Sequence, residues 1–513
     1  MPGLDRKILK TIDHSNVIER VKLDMRSDLI LAPHYNAVFL QAGDKLWERL
    51  EQSLKNGSYN PNLPHTISVP KKNGFARPGS ILEPFDRFLY QALIDNVSET
   101  LEDNLDRNRV FSHMISDDPR QIFIPPDECW MALQEKLEDI CTKGTHIVKA
   151  DISNYFERIP HHSLINLMGS AGCLSEIVNL LEEMLLAFRQ RNSFGIVQGL
   201  YPSDVLGTFF LSGFDTFCEL KGIPSARFVD DIYLSFTSEL KARRGLVDLI
   251  EYLRAEGLQL NEAKSQIFQS DELIRDESAI DLLLREVHEE IADEIELPSA
   301  AEYGFDVDWE IDEETEDEEL GEITAIEHLF NKINDYPKYE DRIEKSCLPL
   351  LRISDSDIAI DHVCENILKK PHQARLYFSY LYAFASEYSD LVNFLEDLLS
   401  SKELISSYQK MLLLATLMKA QKIRAEKITT ILKCLKNKEE AQEVRAMAAI
   451  LASRHGNSSQ KRTVKLEYEN EESNYVRSAI LYASRHFLPV EKKTCKKAWG
   501  SHGEINPLIV QSI

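Results

Sequence analysis

Apolar and polar positions change their rhythm along this chain. In the first half several stretches read as strands. Arg227-Phe228-Val229-Asp230-Asp231-Ile232-Tyr233-Leu234-Ser235-Phe236 holds two apolar, β-prone runs around an Asp-Asp pair, the pattern of a hairpin with both carboxylates at its turn. Ile147-Val148-Lys149-Ala150-Asp151 is an apolar strand with Asp151 at its end, and Pro160 precedes a helix-like run that starts at His161 and His162. Ile67-Ser68-Val69 and the stretch after Phe75 flank Asn73-Gly74, a hairpin turn signal. Between these lies Gly195-Ile196-Val197-Gln198-Gly199, followed by a helical run for which Ser203 is the expected N-cap.

From about Ile323 onward almost every segment has the spacing of an amphipathic helix. An internal repeat is visible there. Val444-Arg445-Ala446-Met447-Ala448-Ala449-Ile450-Leu451 returns as Val476-Arg477-Ser478-Ala479-Ile480-Leu481, at an offset of 32 residues. Helix pairs repeating at that length imply a solenoid of the HEAT or TPR kind, in which Arg445 and Arg477 serve packing between repeats. Three segments follow: a mixed region over 1–280, an acidic linker or insertion over 281–322, and a helical repeat region over 323–513.

Composition changes the picture in two places. The 513 residues exceed one ordinary domain. The formal net charge of −25 speaks against a phosphate-gripping surface. Yet Glu286 to Glu322 contains no Lys or Arg, so much of the charge is local and a basic groove elsewhere stays open. Eight cysteines without a Cys-x-x-Cys pair give no disulfide or zinc framework. No apolar run approaches the roughly 20 residues of a membrane span, and Met1 to Lys10 does not read as a signal peptide. The expectation is a cytoplasmic protein with no membrane association.

Adjacent carboxylates at a hairpin tip repel each other, and divalent cations serving phosphoryl transfer are the natural counter-charge for Asp230 and Asp231. Asp151, at a strand end, can converge on the same site. Lys71, Lys72 and Arg77 beside the Asn-Gly turn suit a polyphosphate. Glycines around Gln198 allow close backbone approach to a ligand. Lys264, in Leu260-Asn261-Glu262-Ala263-Lys264, could donate a proton to a leaving pyrophosphate. Each element alone also describes an ordinary solvated turn, loop or lysine.

Their order is specific. Basic hairpin, strand-Asp, Gly-Gln-Gly, Asp-Asp hairpin and Leu-Asn-x-x-Lys, over roughly Ile67 to Phe268, resembles the fingers and palm of reverse transcriptases. The resemblance implies an α+β right-hand polymerase fold followed by an all-α HEAT-like repeat domain. It implies that Asp151, Asp230 and Asp231, with the backbone carbonyl of Ile152, bind two Mg²⁺ ions, with Mn²⁺ as a substitute. Phe156 matches the steric gate that excludes a ribose 2′-OH, so the implied substrates are dNTPs. Gln198 and Gly199 would line the nucleotide and template pocket. Lys71 and Arg77, with Asp86-Arg87 beyond them, match the triphosphate grip of group II intron-like enzymes. Val197 stands where the family usually has Pro, and Phe228 where many members have Tyr.

A palm and fingers followed by helices resembles bacterial defence reverse transcriptases of the abortive-infection type, AbiK-like and prophage-encoded relatives. Some of that group synthesise DNA without a template and from a tyrosine, leaving the DNA product covalently attached. Others copy a companion noncoding RNA. Tyr35 and Tyr59, or an exposed tyrosine of the repeat region, are the candidate primers. A retron or group II intron-derived enzyme is the alternative. The helical array also fits a homo-oligomer interface.

Overall fold

The computed structural model describes residues 6–273, 320–404 and 406–513. The centre of the acidic segment, Glu310 to Glu319, and most of the proposed linker lie outside the described residues. The chain divides into two compact units. The first comprises Met1–Asp24, Trp47–Pro64 and Phe85–Glu286; the second comprises Met25–Leu46, His65–Pro84 and Val287–Ile513. The basic hairpin at 65–81 therefore groups with the helices of the second unit.

The first unit is built on a four-stranded antiparallel sheet. Its strands are β3 (His146–Asp151), β4 (Ser225–Phe228), β5 (Asp231–Phe236) and β6 (Gln266–Gln269), in the order β4-β5-β3-β6. Two further strands, β1 (His65–Pro70) and β2 (Ala76–Ile81), form a hairpin in the second unit. Central β5 is buried from Ile232 through Ser235, as a strand covered on both faces should be. Helix Pro126–Lys143 packs on β4 and β5, and helix Glu239–Ala255 on β3, β5 and β6. Gly245 permits the second of these: a Cβ there would lie 2.0 Å from the Phe236 ring. Leu133, Leu137, Ile140, Ile147, Ala226 and Tyr233 form one hydrophobic cluster between helix and sheet.

The second unit is almost wholly helical among its described residues. Helices Leu320–Asn331, Glu340–Ile353, Ala374–Phe384, Ser407–Leu417, Gln442–His455, Asn474–Ala483 and Asn506–Ser512 each touch the next in this series. Intervening helices such as Ala425–Lys436 and Ser458–Asn470 contact one another beside it. Gln442–His455 is buried from Glu443 to Ser453, polar Glu443, Arg445 and Ser453 included. The two copies of the internal repeat are the adjacent helices Gln442–His455 and Asn474–Ala483. Arg445 is buried, donating to the Leu435 carbonyl and pairing with Glu471, while Arg477 lies over the Tyr468 ring. Hairpin β1–β2 packs against helix Ser407–Leu417. Among the described residues no helix is long and apolar enough to cross a membrane.

Candidate active site

The antiparallel pairing of β3 with β5 sets Asp151 directly opposite Asp231. The β4–β5 turn carries Asp230 beside them. Val229, just before it, has φ +54°, a left-handed conformation that a β-branched residue adopts only under strain. Two contacts hold it there. The Val229 N–H donates to Ser112 Oγ at 2.9 Å, and Arg227 donates to the Val229 carbonyl at 3.2 Å. Arg227 is itself buried and forked onto Asp215 at 2.7–3.0 Å, with a further bond to the Thr208 carbonyl. The hairpin tip thus rests on a buried ion pair.

Asp151 is fixed from the segment that follows helix Glu239–Ala255. Asn261 donates its backbone N–H to the Asp151 carbonyl at 2.8 Å and its Nδ2 to Asp151 Oδ2 at 2.9 Å. Lys264 Nζ reaches Oδ1 at 2.9 Å. Ile152 bridges to Leu260, which holds the backbone just past Asp151.

Burial, then the fields of Asp231 and Asp151, push the Asp230 carboxyl up to about 7. Burial pulls the Lys264 ammonium down, but its bond to Asp151 and the fields of Asp231 and Asp230 outweigh that and hold it above the ordinary lysine value. Asp151, Asp230 and Asp231 bring carboxylate oxygens, the ligand type Mg²⁺ takes, to one end of the sheet; among the described residues the group of His, Cys, Asp and Glu whose ligand atoms all lie within 4.8 Å of one another is Glu340, Glu344 and His362 of the second unit.

Phe156 lies on the short helix Tyr155–Arg158, its ring 5.5 Å from that of Tyr155. Its carbonyl accepts the Ile196 N–H at 2.8 Å, which ties it to the loop carrying Gln198 and Gly199. A Cβ on Gly207 would come within 2.9 Å of the Phe156 ring, so glycine lets helix Tyr201–Phe210 lie against that ring. Tyr155 donates to the Gly207 carbonyl at 2.6 Å. Ser203 is not the N-cap expected from sequence. The helix starts at Tyr201 with Pro202 in its first turn, and Ser203 bonds the buried Tyr90 hydroxyl at 2.9 Å.

Asp151, Asp230, Asp231, Lys264, Phe156, Gln198 and Gly199 all belong to the first unit, while Lys71 and Arg77 belong to the second. There Lys71 is exposed and its N–H closes the hairpin onto the Phe75 carbonyl at 2.6 Å; Arg77 sits opposite Val69 in the register. Asp86 and Arg87 are buried. Asp86 accepts from the Tyr59 hydroxyl at 2.5 Å, and Arg87 pairs with Asp24 at 2.9 Å. Tyr35 and Tyr59 are buried as well, whereas Tyr388 of the second unit is 38% exposed.

Sequence inspection missed Ser112, Asp215 and Asn261, and gave Arg227 no role. Asn261 stood in the Leu-Asn-x-x-Lys motif, so its reach to Asp151 had a signal. Ser112 and Asp215 had none.

Residues 69–287 match the family model of reverse transcriptase (RNA-dependent DNA polymerase). No curated protein matches the chain. Among solved structures, telomerase from Candida albicans in complex with a fragment of telomeric RNA is 12% identical, with a TM-score of 0.31 over 79% of this chain and 64% of that one. Telomerase from Candida tropicalis is 11% identical, with a TM-score of 0.31 over 89% of this chain and 68% of that one. The chain thus spans under two thirds of the length of the first of these. The comparisons thus show a likeness of residues 69–287 to the reverse transcriptase domain family.

Proposed function

We propose that the protein adds dNTPs to a growing DNA strand by two-metal nucleotidyl transfer at Asp151, Asp230 and Asp231. The observation that carries this reading is the register that sets Asp151 against Asp231, with Asp230 next to them at the β4–β5 turn. Two bound Mg²⁺ ions would activate the attacking hydroxyl and stabilise the leaving oxygen. Asp151, Asp230, Asp231 and the Ile152 carbonyl would hold them. Lys264, 2.9 Å from Asp151 Oδ1, would protonate the leaving pyrophosphate. Phe156 excludes the 2′-OH of a ribonucleotide, and Gln198 and Gly199 line the pocket beside it.

The helices of the second unit act as a HEAT-like array, consistent with their serial contacts, and offer an interface for a homo-oligomer. With that array in place of a conventional thumb, the chain reads as an abortive-infection defence enzyme of the cytoplasm, working without a template and primed from a tyrosine. Tyr388 is favoured over Tyr35 and Tyr59 by its exposure.

Labelled dNTP incorporation with Mg²⁺ tests the chemistry. The wild type should incorporate, Asp230→Asn should not, and equal activity in both would refute the assignment. Intact mass after DNase treatment tests priming, since a nucleotide adduct is expected. A defined RNA recovered with the protein, without an adduct, would favour copying of a companion noncoding RNA instead.

A further inference from the structure

The hairpin tip continues into a row of aromatic rings, all in the first unit. Trp130 meets Phe228 edge to face, with centroids 5.9 Å apart. Phe228 lies 6.5 Å from His113, which lies 4.9 Å from Phe123, which lies 5.1 Å from Tyr201. One end of the row stands two residues after the Gln198-Gly199 pair, and Phe228 stands two residues before Asp230. The inner rings are partly buried, but Trp130 is 40% exposed and its neighbour Met131 63%. A large indole left open this close to a reaction centre has a face to offer.

We propose that Trp130, seated on Phe228, is a stacking platform for the 3′-terminal bases of the growing strand. This rests on the polymerase assignment. Chemistry at Asp230 and Asp231 requires the attacking 3′ end at the hairpin tip, so the bases behind it must pass over whatever borders Phe228. Every base has a π-face, and aromatic side chains hold single strands by stacking without reading sequence. Phosphate gripping is not what this face is made for. The lysines of helix Pro126–Lys143, Lys136 and Lys143, are both paired with Asp139. Trp130 is therefore a positioning residue that aligns the strand for transfer at Asp230.

The probe is a short oligodeoxynucleotide carrying 2-aminopurine at its 3′ end, whose fluorescence falls when the base stacks. The full chain should quench it. Trp130→Ala should lose the quenching and bind the strand about ten-fold more weakly, as expected for one lost base–aromatic stack. Trp130→Phe should retain most of both. The slope of affinity against salt should not change, because no phosphate contact is removed. The KM for dNTP and the melting temperature should also stay the same, which a merely structural role would not predict. Equal quenching and affinity in wild type and Trp130→Ala would overturn the proposal. The binding arm needs no turnover, so wild type that stacks the probe but never incorporates would count against the polymerase reading alone.

Discussion

Two carboxylate clusters in this protein have opposite fates. In the second unit, Glu340, Glu344 and His362 offer ligand atoms within 4.8 Å of one another. Yet the protein supplies its own counter-charge there. Lys370 lies 2.9 Å from Glu344, 3.0 Å from Glu340 and 3.3 Å from Asp341, while His362 and Tyr377 bond Glu344 at 2.8 and 2.7 Å. Burial would raise the Glu344 carboxyl, but its hydrogen bonds to His362, Lys370 and Tyr377 outweigh that and hold it below the usual range. Burial acts the same way on Asp341, and Lys72 and Lys370 bring it down to about 2. In the first unit, Lys264 bonds Asp151, while burial and the fields of Asp231 and Asp151 raise Asp230 to about 7. One cluster is held by its own cations; in the other a carboxyl keeps a raised value that a cation from solution would lower.

Removing the Asp230 charge should have the largest effect. Asp230→Asn is expected to lose measurable incorporation and yet to fold more stably without metal at pH 8. The sign follows from the raised value. The native state favours protonated Asp230, so its contribution is complete below the ordinary carboxylate range and is lost as pH rises through about 7. The amide has no charge to bury. The gain should be on the order of a few kcal/mol, read as denaturant midpoint at pH 8 against pH 5, where the difference should shrink.

Removing one partner of a satisfied pair should do the reverse. Asp215→Ala strands the Arg227 guanidinium in the core and should cost about 3–5 kcal/mol of unfolding free energy. It should also release the Val229 turn. A stability loss below about 1 kcal/mol would mean that Arg227 finds another partner or water. Lys264→Ala should leave melting nearly unchanged, because the lysine side chain is 66% exposed. It should lower incorporation about a hundred-fold if the lysine is the proton donor. Smallest is Val229→Gly, which relieves the left-handed strain. It should stabilise by about 1 kcal/mol at most, since glycine also gains freedom in the unfolded chain.

The same contrast explains what the sequence disclosed. Strand β3 and the Asp230–Asp231 hairpin were readable because apolar runs broken by a turn need no distant partner to be recognised. Serial contacts between the two repeat helices accord with their matching sequence. Ion pairing was not readable. Arg424, Lys427 and Lys438 are basic residues whose partners no local pattern gives. In the fold Arg424 meets Glu396 and Asp397, Lys427 meets Asp397, and Lys438 meets Glu467 and Glu471. These partners lie some thirty residues away in sequence, on neighbouring helices. The Arg227–Asp215 pair was hidden for a related reason: a surface and a buried charge look alike until the core closes round one of them. Ser203 was misread because Pro202 already marks the first helical turn.

On the proposed function Asp151, Asp230 and Asp231 take up a divalent cation, whereas Glu340 and Glu344 are held by Lys370. Melting temperature against Mg²⁺ concentration at pH 8, for wild type, Asp230→Asn and Glu344→Gln, tests it in one measurement. A ligand that binds the native state raises its stability as its concentration exceeds the dissociation constant. The account predicts a Mg²⁺-dependent rise in wild type, the same rise from a lower starting point in Glu344→Gln, and little or none in Asp230→Asn. A full rise in Asp230→Asn together with its loss in Glu344→Gln would contradict it.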